Sequence, residues 1–258
     1  MEREAYDEMA ALEEAHWWFV GRRHVLDAVI RSLNFPSEAR ILELGSGTGG
    51  NFSMLSQFGH VTAVERDEAA RDYASRRPEK VALFAGALPD DIPFTDQRFD
   101  LVCLLDVLEH VEDDLGTLRR VASLLVPRGK AVITVPAYQF LYGPHDLQLH
   151  HKRRYGAAQL RGLLQQAGLQ PRMFGFMNSA LLPLACIARI IDKLPGRKSS
   201  LGRTPPGVIL NTLLTHIFGF EAKLVGRMSL PFGLSLLTIV EPIPGEVARS
   251  EQEVLKCA

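Results

Sequence analysis

Apolar runs of four to seven residues alternate with longer stretches whose apolar and charged positions recur at helical spacing, from residue 40 to about residue 170. The runs at 41–44, 61–64, 81–85, 99–105 and 131–135 predict β-strands. The stretches 51–58, 68–76, 115–125 and 157–167 predict helices, the last closed by Gly168, and Pro127-Arg128-Gly129 predicts a turn. Runs at 174–176 and 236–240 bring the strands to seven. The first five are apolar without strict alternation, as in strands covered on both faces. The pattern therefore predicts a three-layer, doubly wound α/β fold with right-handed crossovers.

The ends of the chain follow other rules. Residues 2–33 read as helix, crossed by His16-Trp17-Trp18-Phe19 and Gly21-Arg22-Arg23. The adjacent tryptophans project in different directions, so one can pack on the sheet while the other covers a ligand or meets a membrane boundary. Between residues 178 and 230 the sequence carries seven Lys/Arg against two acids, a local net charge of +5. Helices are expected at 181–191 and 208–214, joined by a basic, turn-rich connection at 194–206. Pro183 and Arg189 keep the first helix below the roughly 20 residues that span a bilayer, so a surface-lying helix or lid is expected. The expected organisation is a helical cap (1–38), a core (39–177), an apolar and basic insertion (178–233), and a final strand with its tail (234–258).

Composition narrows the function classes. The net charge is −1 over 258 residues, which argues against a nucleic-acid partner. Cys103, Cys186 and Cys257 have no paired spacing, so neither a disulfide framework nor a zinc cluster is expected, and a reducing, cytoplasmic setting fits. The acidic N-terminus lacks the order of a secretory signal.

The strand at 41–44 ends in Gly45-Ser46-Gly47-Thr48-Gly49-Gly50, with no lysine after the glycines, which argues against triphosphate chemistry. A glycine loop between a strand and a helix N-terminus lets a ligand approach backbone N–H groups. Glu65 follows Gly45 by 20 residues, at the end of the next strand, where a carboxylate can accept ribose hydroxyls. Glu43 would be awkward beside a pyrophosphate and useful beside an ammonium. The loop and Glu65 alone do not separate a nicotinamide enzyme from other users of adenosine, and a non-catalytic scaffold is a further alternative.

The set E-L-G-S-G-T-G-G (43–50), Glu65 and F-D-L-V-C-L-L-D-V-L-E-H-V (99–111) resembles the class I S-adenosylmethionine-dependent methyltransferases. The E-x-x-H-W-W-F-like segment at 13–19 is similar to a small-molecule subgroup of type 11/12. The resemblance implies a Rossmann-like fold and a cofactor, S-adenosylmethionine, released as S-adenosylhomocysteine. It implies cofactor contacts from Glu43, Gly45, Ser46, Gly47, Gly49, Glu65, Arg66 and Asp106. The family often has an acid after the third strand for the adenine amino group. Here Ala87 stands at that place, leaving backbone groups of Ala87 and Leu88, or Asp90, for the adenine.

Residues 136–155, after the fifth strand, concentrate three histidines, three tyrosines and Lys152-Arg153-Arg154 where open α/β sheets bind ligands. Methyl transfer to a protonated acceptor can use a base. His145 beside Asp146 is the first candidate and His150 the second. Trp17, Tyr138, Arg153, Arg154 and Tyr155 are the candidate substrate contacts, the arginines for an anionic head or, alternatively, as ion-pair partners of Glu109 or Asp146. His110 fits a packing role as well as a catalytic one. His145, Asp146 and His150 lack a recognised ligand spacing, so no metal is expected. The expected acceptor is a small acid or a lipid-like molecule with an apolar part. Segment 178–230 is expected to touch an anionic membrane at its cytoplasmic face, or to form a homodimer through Leu213, Leu214, Ile217, Phe218 and Phe220.

Overall fold

The computed structural model describes residues 10–192, 206–225 and 228–244. In chain order the elements are α1 (Trp17–Ser32), β1 (Ala39–Leu44), α2 (Phe52–Leu55), β2 (Gly59–Glu65), α3 (Glu68–Ala74), β3 (Ala82–Ala85) and β4 (Phe99–Leu105), then α4 (Asp114–Ser123), β5 (Leu125–Pro136), α5 (Pro144–Gln148), α6 (Ala157–Gln166) and β6 (Leu169–Met177). The insertion contributes α7 (Leu182–Asp192), α8 (Val208–Phe220) and α9 (Ala222–Val225) before β7 (Ser235–Pro242). The seven strands form one sheet in the order β3-β2-β1-β4-β5-β7-β6. Strands β1 to β5 are parallel, and β7 runs antiparallel to both β5 and β6.

The apolar runs without alternation have their expected cause. Leu42, Leu44, Val102, Leu104, Ile133 and Val135 point to one face of the sheet, under Leu118 and Val121 of α4 and Leu160 and Leu164 of α6. Ile41, Leu101, Cys103, Leu105 and Val132 point to the other, under Val25, Leu26, Val29 and Ile30 of α1 and Phe218 of α8. Alternate residues thus serve two cores, and both faces exclude water.

The insertion is built into the second layer. Phe218 packs against α1 so closely that a Cβ on Gly21 would stand 2.6 Å from its ring. Asn211 ties the start of α1, accepting from the Trp17 N–H (2.9 Å) and donating to the Ala15 carbonyl (2.7 Å). Glu221 is buried and accepts from the backbone N–H groups of Asn178 (2.6 Å), Ser179 (2.7 Å) and Ala180 (3.2 Å), binding the end of α8 to the exit of β6. The run Val208–Val225 is long and apolar enough to cross a membrane by length and composition. Yet Leu214, Phe218, Glu221 and Val225 are buried within the fold.

Three expectations are corrected. The N-terminal helix is broken before Trp17, where the His16 side chain caps α1 by accepting from the Trp18 N–H. Pro127-Arg128-Gly129 lies inside β5, as an irregularity in its pairing with β4. The dimer surface loses Leu214, which is buried, and Phe218, which packs on α1, while Leu213 and Phe220 stay exposed. Arg197, Lys198, Arg203 and Cys257 lie outside the described residues.

Candidate active site

Strand β1 delivers Glu43 and the glycine loop to the carboxyl edge of the sheet, and β2 delivers Glu65 beside it. Glu65 braces the loop, one oxygen accepting from the Gly47 N–H (2.9 Å) and the other from the Asp67 N–H (2.9 Å). Gly47 has φ +55°, and a Cβ added there would meet nothing within 4 Å, so the loop faces open space at this point. Behind it, Ser46 Oγ and Glu43 Oε2 are buried without a hydrogen-bond partner among the described residues. Burial pushes the Glu43 carboxyl up to about 7, against the hydrogen bond it accepts from Asn51. Unspent acceptors beside open space suit a polar ligand that carries a cation.

A buried polar line joins the ends of β1 and β4. Asn51 Nδ2 donates to Glu43 Oε1 (2.8 Å), Arg22 Nη2 donates to Asn51 Oδ1 (3.5 Å), and Arg22 Nη1 pairs with Asp106. The Arg22 guanidinium lies 4.8 Å from the Trp18 ring centre, and its Nε is unpartnered. Arg22 and Asn51 escaped the sequence reading. Arg22 sits on a helix whose position over the sheet no local pattern shows, and Asn51 follows the glycines by one residue. Glu13 was missed as a brace for the same reason: it accepts from Thr48 Oγ1 (2.6 Å) and from Arg77 (2.8 Å), strapping the N-terminal segment over the loop. Gly45 and Gly49 also have positive φ.

On the adenine side the Ala87 N–H donates to the Asp91 carbonyl (2.7 Å) and the Ala87 carbonyl accepts from the Asp91 N–H (2.9 Å). The Ala87 N–H is therefore committed within the turn, while its carbonyl keeps a second lone pair that an adenine amino group can use. Leu88 packs at the edge of the first core, and Asp90 is exposed. Arg66 is exposed and lends its carbonyl to Arg71.

The loop after β5 folds into a polar cluster that differs from the expected His145–Asp146 dyad. Asp146 is fully buried and accepts from His151 Nδ1 (2.9 Å), Arg154 Nε (2.8 Å) and the Gly143 N–H (2.9 Å). Burial would raise the Asp146 carboxyl, but these donors and the Arg154 charge hold it well below the usual carboxylate range. His151, which the sequence reading passed over, is thus the histidine that a carboxylate orients. His145 opens α5, and His150 is exposed with φ +57°.

Several candidate substrate contacts are committed elsewhere. Tyr155 is fully buried, its hydroxyl between the Leu108 carbonyl (3.3 Å) and Asp114 (3.1 Å), so it holds the loop against the core and is corrected as a substrate contact. Arg154 is buried on Asp146, and Arg153 pairs with Asp114 at 2.9 Å. Both arginines form ion pairs: Arg154 with the expected Asp146, and Arg153 with Asp114 rather than with Glu109 or Asp146. Trp17 meets Phe218 edge-on at 6.4 Å, which leaves Trp18, under Arg22, as the tryptophan beside the polar line. Tyr138 adopts φ +63° and stacks on Phe176 at 5.5 Å.

Beside this loop, on the turn after β4, Glu109 is fully buried with both carboxylate oxygens unpartnered. Burial and nearby Asp106 push its carboxyl well up, and burial with His151 nearby takes His110 down to about 4, so the imidazole is neutral at pH 7.

Comparison with known proteins identifies the family. A sequence model described as a methyltransferase domain matches residues 18–172. A probable S-adenosylmethionine-dependent methyltransferase of Mycolicibacterium smegmatis is 28% identical over 163 residues, 62% of each chain. The demethylmenaquinone methyltransferase of Tropheryma whipplei is 27% identical over 136 residues, 50% of this chain and 54% of that protein. The chain thus spans less than two thirds of the length of these relatives. An S-adenosylmethionine-dependent methyltransferase of Clostridium acetobutylicum superposes with a TM-score of 0.58 at 11% identity, over 92% of this chain and 99% of that one, a likeness of fold. Glycine loop, strand-end acid and matched domain together make the chain a member of the class I S-adenosylmethionine-dependent methyltransferases.

Proposed function

We propose that this methyltransferase acts on a small, lipid-like acceptor whose apolar body enters from a membrane surface and whose polar head lies beside Asp106. One observation carries the reading. Helix α8 leaves Val208, Ile209, Leu213 and Phe220 exposed (83, 88, 53 and 56%), while its other face packs on α1, the helix that brings Arg22 to Asp106. An apolar face this extended, on a helix within residues 178–230 whose sequence carries a net charge of +5, fits an anionic bilayer better than bulk water. The Tropheryma relative is named for a menaquinone precursor, an acceptor with an apolar body, which supports the same class.

Bound S-adenosylmethionine supplies an electrophilic methyl group on sulfonium. The chain's own part is placement. Glu65 fixes the glycine loop, Glu43 and Asp106 supply negative charge near a bound cation, and Arg22 neutralises Asp106 until the site fills. The buried cluster around Glu109 and His151 borders Asp106 and orients the acceptor's polar atom, so proximity and exclusion of water supply much of the acceleration.

Incubation of the protein with labelled cofactor and the total lipid extract of the source cells tests the reading. Label in a lipid-soluble product supports it. Label confined to water-soluble products contradicts it.

A further inference from the structure

We propose that Glu109, His110 and His151 form a binding site for a divalent transition-metal ion, with Asp146 and the His150 carbonyl as the groups that orient the two imidazoles. Three potential donor atoms, one from each side chain, lie within 4.8 Å of one another. No sequence spacing announces the set, because two ligands come from the turn after β4 and the third from the loop after β5. The two segments are clamped together where the Lys152 N–H donates to the Glu109 carbonyl at 2.8 Å.

The orphaned carboxylate is the first argument. Both Glu109 oxygens are buried and unpartnered, and the nearest basic atom of His151, Nε2, stands 4.0 Å from Oε1, beyond hydrogen-bond reach. A buried carboxyl without partners costs free energy that a bound cation would offset.

The surroundings of the histidines are the second. His151 donates from Nδ1 to Asp146 at 2.9 Å, which turns the lone pair of Nε2 toward Glu109. Asp146 is itself held by Arg154 and the Gly143 N–H. The His110 ring is hydrogen-bonded to the backbone of His150, which leaves its second nitrogen for the same space. The two rings meet edge-on at 4.8 Å. Metal-binding histidines are oriented in this way, by a carboxylate or a carbonyl on the far nitrogen.

Two imidazoles and one carboxylate favour zinc, manganese, iron(II) or cobalt over calcium and magnesium, which take mostly oxygen ligands. Bonds of about 2.0–2.1 Å put tetrahedral ligand atoms about 3.3 Å apart, so the three side chains would close in by roughly an ångström. Three protein ligands leave a coordination position for an oxygen of the acceptor. That use in the reaction rests on the acceptor reading above, whereas metal binding itself does not.

The test titrates the chelator-dialysed full chain with Zn²⁺ by calorimetry and with Co²⁺ by visible absorption, alongside S-adenosylhomocysteine binding as a separate readout. The wild type should take up one equivalent at micromolar affinity or tighter. Glu109→Gln and His110→Ala should each weaken binding at least tenfold. Asp146→Asn should weaken it roughly 10–100-fold with the stoichiometry kept, as for groups behind metal ligands. His60→Asn, at the exposed pair with Glu38, should change nothing. If Glu109→Gln does not fold by circular dichroism, His110→Ala decides. Absence of saturable uptake by the folded wild type, or affinities of Glu109→Gln and His110→Ala within twofold of it, would overturn the site. Retained S-adenosylhomocysteine binding in that case leaves the methyltransferase reading standing.

Discussion

Glu43 is an ionisable group placed where water cannot solvate it. Its folded value of about 7 lies above the ordinary 4.5, so between these values the folded chain keeps a proton that the unfolded chain has released. Stability must then fall as pH rises through that window, by at most about 3 kcal/mol. Glu43→Gln is expected to flatten this slope in urea denaturation at pH 5 and pH 8; an unchanged slope would mean that Glu43 is already ionised. Asp146 works with the opposite sign. Its folded value is depressed, so its contribution is present above the ordinary carboxylate value and is lost as pH falls through the acid range. Asp146→Asn leaves Arg154 buried without its counter-charge and should cost about 3–5 kcal/mol at pH 7. A loss under 1 kcal/mol would show that Arg154 finds another acceptor. At this scale the sequence was only partly legible. Glu43, Gly47 and Glu65 stood out because two neighbouring strand ends and one glycine loop place them, whereas Arg22, Asn51 and His151 meet their partners through tertiary packing alone. The expected pairing of His145 with Asp146 assumed that neighbours in sequence share a task. Helix α5 instead buries Asp146 toward His151 and Arg154.

Among the elements, the central strands were legible because each carries apolar residues for two cores, a pattern that survives without knowledge of neighbours, whereas the edge strand β3 is largely exposed. The helical insertion was harder. Its apolar residues read equally as lid, dimer surface or membrane contact, and only the tertiary packing assigns Leu214 and Phe218 to the interior. That packing makes a direct prediction. A methyl group at Gly21 would press on Phe218 at 2.6–2.9 Å, so Gly21→Ala should destabilise by about 1–3 kcal/mol, and pairing it with Phe218→Leu should recover part of the loss. A neutral Gly21→Ala would mean that α1 and α8 separate at little cost. The short α5 and the irregularity in β5 escaped the reading because one is a five-residue helix inside a polar loop and the other retains strand pairing through a Pro-Arg-Gly sequence.

At the scale of the described residues, α8 carries an exposed apolar face and the tips of β1, β2 and β4 form a polar edge. Introducing Asp at Ile209 should abolish flotation with anionic vesicles while leaving cofactor affinity within twofold, because Ile209 is exposed and no described contact links it to the glycine loop. Equal flotation of the variant and the wild type would assign the face to another partner, and a concentration-dependent shift in mass would point to a second copy. The central claim is that the glycine loop and Glu65 form the seat of S-adenosylmethionine. Calorimetric titration of the wild type and Glu65→Ala with S-adenosylhomocysteine tests it most directly. Loss of charge-assisted hydrogen bonds of about 1.5–3 kcal/mol predicts a dissociation constant raised roughly 10–100-fold at unchanged stoichiometry. Equal dissociation constants for the two proteins would contradict the account.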